Sequence, residues 1–223
     1  MRTYTAFCRD CLMPRNPFGR ITVKLFYAPG ACSLSPHIVA LEAGIDLDLC
    51  KVDLKTHTLE NGDDFHRVNP KGYVPALQLE GGELLTEGAA IMQFLAEQKP
   101  DADLAPPVGT LDHYRMLEWL NFLSAEVHKC FLPLFWNGSE EEKKKAQEKI
   151  LRRMDYVEEQ LQSDFLLGDA LSVADTYLYV IIRWLKALHF DMSRWPRLQA
   201  FQQRMEMRPA VQQALQEEKS QAA

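Results

Sequence analysis

Several things are scarce in this sequence, and each scarcity removes a class of function. No apolar run approaches the roughly 20 residues of a membrane-spanning helix, so no membrane partner is expected. Positive charge is in deficit, with 25 Lys and Arg against 31 Asp and Glu and a formal charge of −6. With a pI near 5.6, that balance argues against nucleic acid as the main partner. Cysteine is sparse: five residues without dense spacing exclude a disulfide scaffold and fit a reducing cytosol, hence a cytoplasmic location. Cys8 and Cys11 form a C-x-x-C pair, but no second pair follows to complete a zinc site, and no metal is expected. Residues 1–22 lack both the continuous apolar region of a secretory signal and any periodic pattern. They are expected to be a disordered or mis-assigned extension, with translation beginning at Val23, because a GTG codon reads as valine internally and as methionine at a start. What is present is 47% hydrophobic residues over 223 positions, enough to bury a substantial core.

The most informative stretch is 24–36, Lys-Leu-Phe-Tyr-Ala-Pro-Gly-Ala-Cys-Ser-Leu-Ser-Pro. It reads as a short buried strand, a tight loop and a helix start, with Cys32 at the junction. Pro36 suits the first turn of a helix, where its missing N–H costs nothing, and Ser33 and Ser35 are candidate caps. A helix starting there aims free amides at Cys32 and favours the anionic sulfur, so its pKa is expected below the free value of about 8.5. Cys32-Ser-Leu-Ser35 also has the C-x-x-S spacing of a monothiol, thioredoxin-like redox loop. The competing reading makes Cys32 a small buried apolar residue, and the segment alone leaves both open.

Two later segments favour chemistry. Residues 69–77, Asn-Pro-Lys-Gly-Tyr-Val-Pro-Ala-Leu, put a proline directly before an apolar strand, where a central strand rejects it. A cis Val74–Pro75 bond resolves the conflict and exposes the Val74 backbone to an extended peptide ligand. Residues 84–91, Leu-Leu-Thr-Glu-Gly-Ala-Ala-Ile, run from strand into helix. The free amides there suit an anion, Gly88 admits a ligand carboxylate close to the backbone, and Glu87 suits an ammonium. A cysteine at a helix start, an edge backbone and a carboxylate/ammonium pocket describe a site for a short thiol peptide.

This ordered set resembles the cytosolic glutathione S-transferases, most closely the bacterial beta class. The resemblance runs over 23–219, and its further marks are Glu-Asn-Gly-Asp-Asp at 60–64, Thr86-Glu-Gly88 and the pair His128-Lys129. It implies glutathione as co-substrate with no other cofactor, a small hydrophobic electrophile as second substrate, and a homodimer. Cys32 would face the glutathione sulfur, Val74 would bind the cysteinyl backbone, and Glu87 with Gly88 would hold the γ-glutamyl end. His128 and Lys129 would close over the site from the helical domain, with Asn121 nearby. A second subunit would add an acid, Asp103 or Glu126, to support the γ-glutamyl ammonium. The implied activity is conjugation of the glutathione thiolate to small apolar electrophiles, with thiol–disulfide exchange through Cys32 as a further use. The alternative is a non-catalytic relative that binds apolar ligands or a protein partner. Two positions depart from the pattern. His57 stands where the family commonly has a lysine for the glycyl carboxylate. Ala125 replaces a Ser or Thr, and Ser124, one residue early, is rotated by about 100° on a helix. Weaker glutathione binding is the expected consequence.

Periodicity gives the fold class as α/β followed by all-α. Strands at 24–27, 47–52, 76–79 and 83–85 and helices at 35–43 and 89–98 follow the thioredoxin-like order β-α-β-(α)-β-β-α. The chain divides into the extension 1–22, a thioredoxin-like domain 23–99, a linker 100–110 containing Pro106-Pro107 and Gly109, and a helical-bundle domain 111–223 that takes the electrophile. In that last part, 111–132 reads as one helix. Ser139-Glu-Glu-Glu142 and Ser172-Val-Ala-Asp175 are capping boxes, the second opening an apolar helix to about Leu188, and both are read as structural. Arg208-Pro209 separates the last two helices. Phe131, Trp136 and Trp184 are candidates to line the electrophile pocket, against the plainer reading as helical core. His37 lies about a turn inward from the thiol and reads as a packed side chain.

Overall fold

The computed structural model describes residues 23–220; the expectations for 1–22 fall outside the described residues. Strand β1 (Val23–Tyr27) is buried along almost its whole length, which is why its sequence alternates so little in polarity. It pairs parallel with β2 (Leu47–Asp53), which carries the two-residue β3 (Thr58–Leu59) on its outer edge. On its other side β1 pairs antiparallel with β4 (Ala76–Gln78), and β4 with β5 (Leu84–Thr86), giving the order β3-β2-β1-β4-β5.

Register sorts the side chains into two cores. Leu25 lies opposite Leu77 and Phe26 opposite Ala76, and successive residues point to opposite faces. Leu25 and Leu77 join the main core with Leu34 and Ile38 of α1 (Leu34–Glu42) and Ile91 and Leu95 of α2 (Gly88–Gln98). Phe26 and Ala76 join a smaller cluster with Val52, Phe65 and Val74. The element order departs from expectation twice. β3 adds a fifth strand, and the bracketed helix is a single 3-10 turn, Phe65–Arg67, capped by the Asp64 carboxylate accepting from the His66 N–H. Phe65 is the one buried residue of that turn, packed 5.5 Å from Phe26 between ring centroids. One anchor gives no apolar stripe along which a helix could extend.

The main core continues without a break into the second half, whose helices are α3 (Leu111–Asn121), α4 (Leu132–Phe135), α5 (Glu140–Gln160), α6 (Val173–Ala187), α7 (Pro196–Glu206) and α8 (Pro209–Ser220). Both capping boxes form as read. Asp175 accepts from the N–H groups of Leu166 and Ser172 and from the Ser172 hydroxyl, yet burial still pushes its carboxyl up to about 6. Helix α5 buries the stripe Ala146, Ile150, Met154 and Val157. Its charged first turns stay in solvent, where the Glu141–Lys145 pair adds only a few tenths of a kcal/mol.

The single helix expected over 111–132 is in fact four pieces. After α3 come a π-helical turn, Phe122–Val127, a 3-10 turn, His128–Phe131, and the short α4. The buried stripe Met116, Leu120, Leu123, Val127 and Phe131 runs straight through them. A wide turn followed by a tight one keeps those side chains facing the core, so hydrophobic spacing alone reads as continuous helix. Beyond α4 the chain reverses at Gly138, where a Cβ would stand 2.9 Å from the Pro133 carbonyl oxygen.

Candidate active site

The residues that set the site begin with the loop after β1. The Ser33 hydroxyl folds back onto Ala28, accepting from its N–H at 3.1 Å and donating to its carbonyl at 3.2 Å. Ser33 therefore makes no side-chain cap on α1, and the Ser35 hydroxyl is turned to Met92 and Thr176 in the core. Neither serine is the cap that the sequence suggested. The loop is instead held from the far end of the chain. Glu218 on α8 accepts from the Gly30 N–H at 2.8 Å, and the Trp184 indole on α6 donates to the Gly30 carbonyl at 2.9 Å. His37 is buried on α1 with Nε2 2.7 Å from Glu217, and its Nδ1 faces Glu218 at 3.8 Å. Arg208 grips Glu42 through two nitrogens. These contacts fix α1 and its preceding loop against the helical half.

Cys32 sits where the sequence put it, but its electrostatics are reversed. Burial pushes the thiol up to about 12, the backbone amides of Cys32 and Ser33 pull it down by less, and the Glu87 charge pushes it further up. The expected lowering fails because amide dipoles alone do not offset dehydration of a sulfur that has no cation beside it. At neutral pH Cys32 is a thiol, and its S–H donates to the Val74 carbonyl at 3.4 Å. Val74 precedes a cis bond to Pro75 and lies outside the ladder, which begins at Ala76. Its main chain is therefore not consumed by β1 or β5.

Asn69 shapes the neighbouring turn, its buried amide donating to the Tyr73 carbonyl at 2.7 Å and its side-chain oxygen accepting from the Lys71 N–H. Lys71 then reaches Glu87 at 2.6 Å and the Thr86 hydroxyl at 3.0 Å. Glu87 precedes α2 with φ 70, a left-handed backbone that non-glycine residues adopt rarely and mostly at functional sites. Gly88 opens α2, and a Cβ there would meet only Pro75 at an ordinary 3.6 Å. The protein's own packing does not demand glycine at that point. His57 also has positive φ, and its ring lies 4.6 Å from that of His66. The two close over Gly72, where a Cβ would stand 2.9 Å from His66 Nε2 and 3.2 Å from His57 Nδ1.

From the helical half, His128 places Nδ1 2.8 Å from the Tyr177 hydroxyl and its ring 4.7 Å from Trp184. Burial, with the Lys129 charge as a smaller cause, lowers the imidazole to about 4, so it is neutral at physiological pH. Lys129 itself is exposed. Phe131 corrects one expectation: it is fully buried beneath Phe135 and Trp184 and cannot present a wall to a ligand. The exposed aromatic surface there belongs to Phe135 and Trp136. Asn121 is exposed and donates its amide to the Leu117 carbonyl of its own helix. Ser124 likewise donates to the Asn121 carbonyl, and Ala125 is exposed.

Sequence reasoning missed Lys71 as a partner of Glu87, His66 beside His57, Tyr177 behind His128, and Glu218 on the Gly30 peptide. None of these carries a local pattern, because each acts on a residue distant in the chain. Cys32, Cys50 and Cys130 are free thiols, and among the described residues no cluster of three or more metal-ligating side chains forms.

Comparison with known proteins gives the architecture a family. Residues 30–98 match the glutathione S-transferase N-terminal domain and residues 121–209 the glutathione S-transferase C-terminal domain. Glutathione S-transferase GstA of Escherichia coli O157:H7 is 46% identical over 195 residues, covering 86% of this chain and 97% of its own. The bacterial beta-class glutathione S-transferase of Sphingomonas chungbukensis superposes with a TM-score of 0.85 at 47% identity, over 87% of this chain and 98% of that one. A sphingomonad glutathione S-transferase complexed with glutathione gives 0.84 at 46% identity over the same shares. With both domain models matched and nearly half of the residues shared across the full length of a relative, this chain belongs to the glutathione S-transferase family, among its bacterial beta-class members.

Proposed function

We propose that this protein is a glutathione transferase in which the thiolate of glutathione attacks a small apolar electrophile, and that the residues gathered around Cys32 hold the peptide. The observation that carries this reading is the convergence of three kinds of group on one cleft. A half-buried thiol donates its S–H to the Val74 carbonyl, the Val74 main chain ahead of β4 stays outside the ladder, and Tyr177, whose phenol feels the charges of Cys32 and Glu87, brings in the neutral His128 from the opposite half. Glutathione would lie extended along Val74, with its γ-glutamyl end between Glu87 and the amides opening α2 at Gly88. His57 would meet the glycyl carboxylate, and Lys129 would add a positive charge at the rim. The Cys32 S–H and His128 would donate to the sulfur, stabilising the thiolate. The electrophile would then lie against the exposed Phe135 and Trp136, so that a new C–S bond forms as a halide leaves with its electron pair or an epoxide opens.

Glutathione is the co-substrate, and no metal enters the scheme. The division into a glutathione-binding part at 23–99, a linker at 100–110 and an electrophile-binding part at 111–223 belongs to this reading, as do a homodimer and a cytoplasmic location. Among the described residues no helix is long and apolar enough to cross a membrane. Disulfide exchange through Cys32 is the weaker use, because a thiol held near 12 supplies little nucleophile at neutral pH. Calorimetric titration with reduced glutathione, followed by a chlorodinitrobenzene conjugation assay, tests the reading. Saturable binding with aryl transfer is expected; no binding at millimolar glutathione overturns it. In the Cys32→Ala variant conjugation should persist while any disulfide exchange disappears.

A further inference from the structure

The Tyr177–His128 pair has a direction that its surroundings decide. The Tyr177 hydroxyl lies 2.8 Å from His128 Nδ1, the rings meet edge to face at 88°, and Tyr177 is 5% exposed. A bond between a phenol and an imidazole can run either way. If Nδ1–H donated, the phenol proton of this buried residue would need an acceptor of its own. Among the described residues the Tyr177 oxygen has no hydrogen-bond partner besides His128 Nδ1, so that arrangement strands a buried donor at a cost of about 1–3 kcal/mol. If the phenol donates, its proton is satisfied and the ring proton of His128 resides on Nε2.

We infer that Tyr177 donates to His128 Nδ1 and so fixes the imidazole as its Nε2–H tautomer, making His128 a neutral hydrogen-bond donor to the bound sulfur and not a base. The inference rests on the reading of this cleft as the glutathione site. Tyr177 acts through His128 and is a positioning residue. Burial raises the Tyr177 phenol above its usual range and lowers His128, so both partners stay neutral around pH 7. The ring is also held in orientation, since it packs 4.7 Å from Trp184, itself tied to the Gly30 carbonyl of the Cys32 loop. The proton balance follows. With the Nδ1 lone pair occupied by Tyr177 and Nε2 already protonated, His128 cannot take the proton of an incoming thiol. That proton leaves to solvent, and the remaining thiolate receives two donors, His128 Nε2–H and Cys32 S–H.

The test is nitrogen-edited NMR of the histidine side chains in the full-length protein, with His128 assigned by its disappearance in His128→Gln. The expected spectrum shows one neutral Nε2–H tautomer that does not titrate between about pH 5 and 8. In Tyr177→Phe both tautomers should appear, and the pKa of bound glutathione, read from thiolate absorbance, should rise by about one unit, a tenfold loss of thiolate below it. An Nδ1–H tautomer in the unaltered protein, or an imidazole titrating near 6.5, overturns the inference even if Tyr177→Phe fails to fold. So does a Tyr177→Phe protein with tautomer and thiol pKa unchanged. The free-protein spectrum needs no ligand, so failure to bind glutathione in calorimetry would overturn the site reading separately.

Discussion

The two halves of the molecule furnish the proposed site by different means. The sheet-bearing half offers mostly backbone: the Val74 main chain ahead of a cis proline, the amides opening α2, and the amides of Cys32 and Ser33 around the thiol. The helical half offers side chains: His128, Tyr177, Trp184 and, through the Gly30 peptide, Glu218. Backbone geometry is fixed by strand register and by proline, so it tolerates many side-chain changes. A side-chain constellation holds only while each member keeps its partner. The helical half should therefore be the fragile one, and variants can break or sharpen that contrast.

The largest effect is expected at Asp175. Replacing it by alanine removes the acceptor for two buried donors on Ser172 and a part-buried one on Leu166, and each buried donor left orphaned costs about 1–3 kcal/mol. Destabilisation of about 3 kcal/mol or more should appear as a lower midpoint in denaturant unfolding; a loss within 0.5 kcal/mol would erase the contrast. The same residue predicts a pH trend. Its folded carboxyl titrates near 6, above the ordinary value of 3.8, so between those values the folded state holds the proton that the unfolded chain has lost. This group's contribution is fully present below about 3.8 and falls as pH rises to about 6, by roughly 3 kcal/mol over some two units. The difference in stability between the unaltered protein and Asp175→Asn, followed from pH 4 to 7, isolates it.

Next in size is the reactivity of Cys32. With the thiol pushed up to about 12, its alkylation rate should climb about tenfold per pH unit from 7 through 9 without a plateau. Cys32→Ala supplies the background from the other four cysteines. A plateau below pH 8 would mean that the amides outweigh burial after all.

What could be read from sequence follows the same division. Pro75 and Gly72 are local constraints on the backbone, and Ser139-x-x-Glu142 and Ser172-x-x-Asp175 are contacts within one turn; all leave signatures a few residues long. The cis bond, both capping boxes and, apart from β3 and the 3-10 turn, the order of strands and helices along the chain were legible for that reason. The Cys32 environment was half legible: its place at a helix start is local, whereas its burial comes from packing against the main core and the charge acting on it comes from Glu87, distant in the chain. The π turn at Phe122–Val127 was not legible, because the apolar stripe crosses it unchanged. The Gly30–Glu218 bond, between residues 188 apart, had no signature at all.

Two smaller effects sharpen the comparison within the sheet-bearing half, where Glu87 and His57 are its side-chain contributions. Glu87→Gln breaks an exposed pair with Lys71, worth less than about 1 kcal/mol of stability. If Glu87 meets the glutathione ammonium, the same change should weaken binding about tenfold. Unchanged affinity would leave Lys71 as its sole partner. His57→Lys carries the smallest expected effect. Both residues must adopt a φ near 54, so backbone strain cancels between them. His57 Nδ1 is enclosed without a hydrogen-bond partner beside His66, whereas a lysine stem can pass the rings and bring a full charge to the surface. If the glycyl carboxylate lies there, glutathione should bind roughly two- to fivefold tighter, as expected of an exposed ion pair worth about 0.5–1 kcal/mol. Affinity that does not move would place the glycyl end elsewhere, with the His57–His66 contact a structural closure over Gly72.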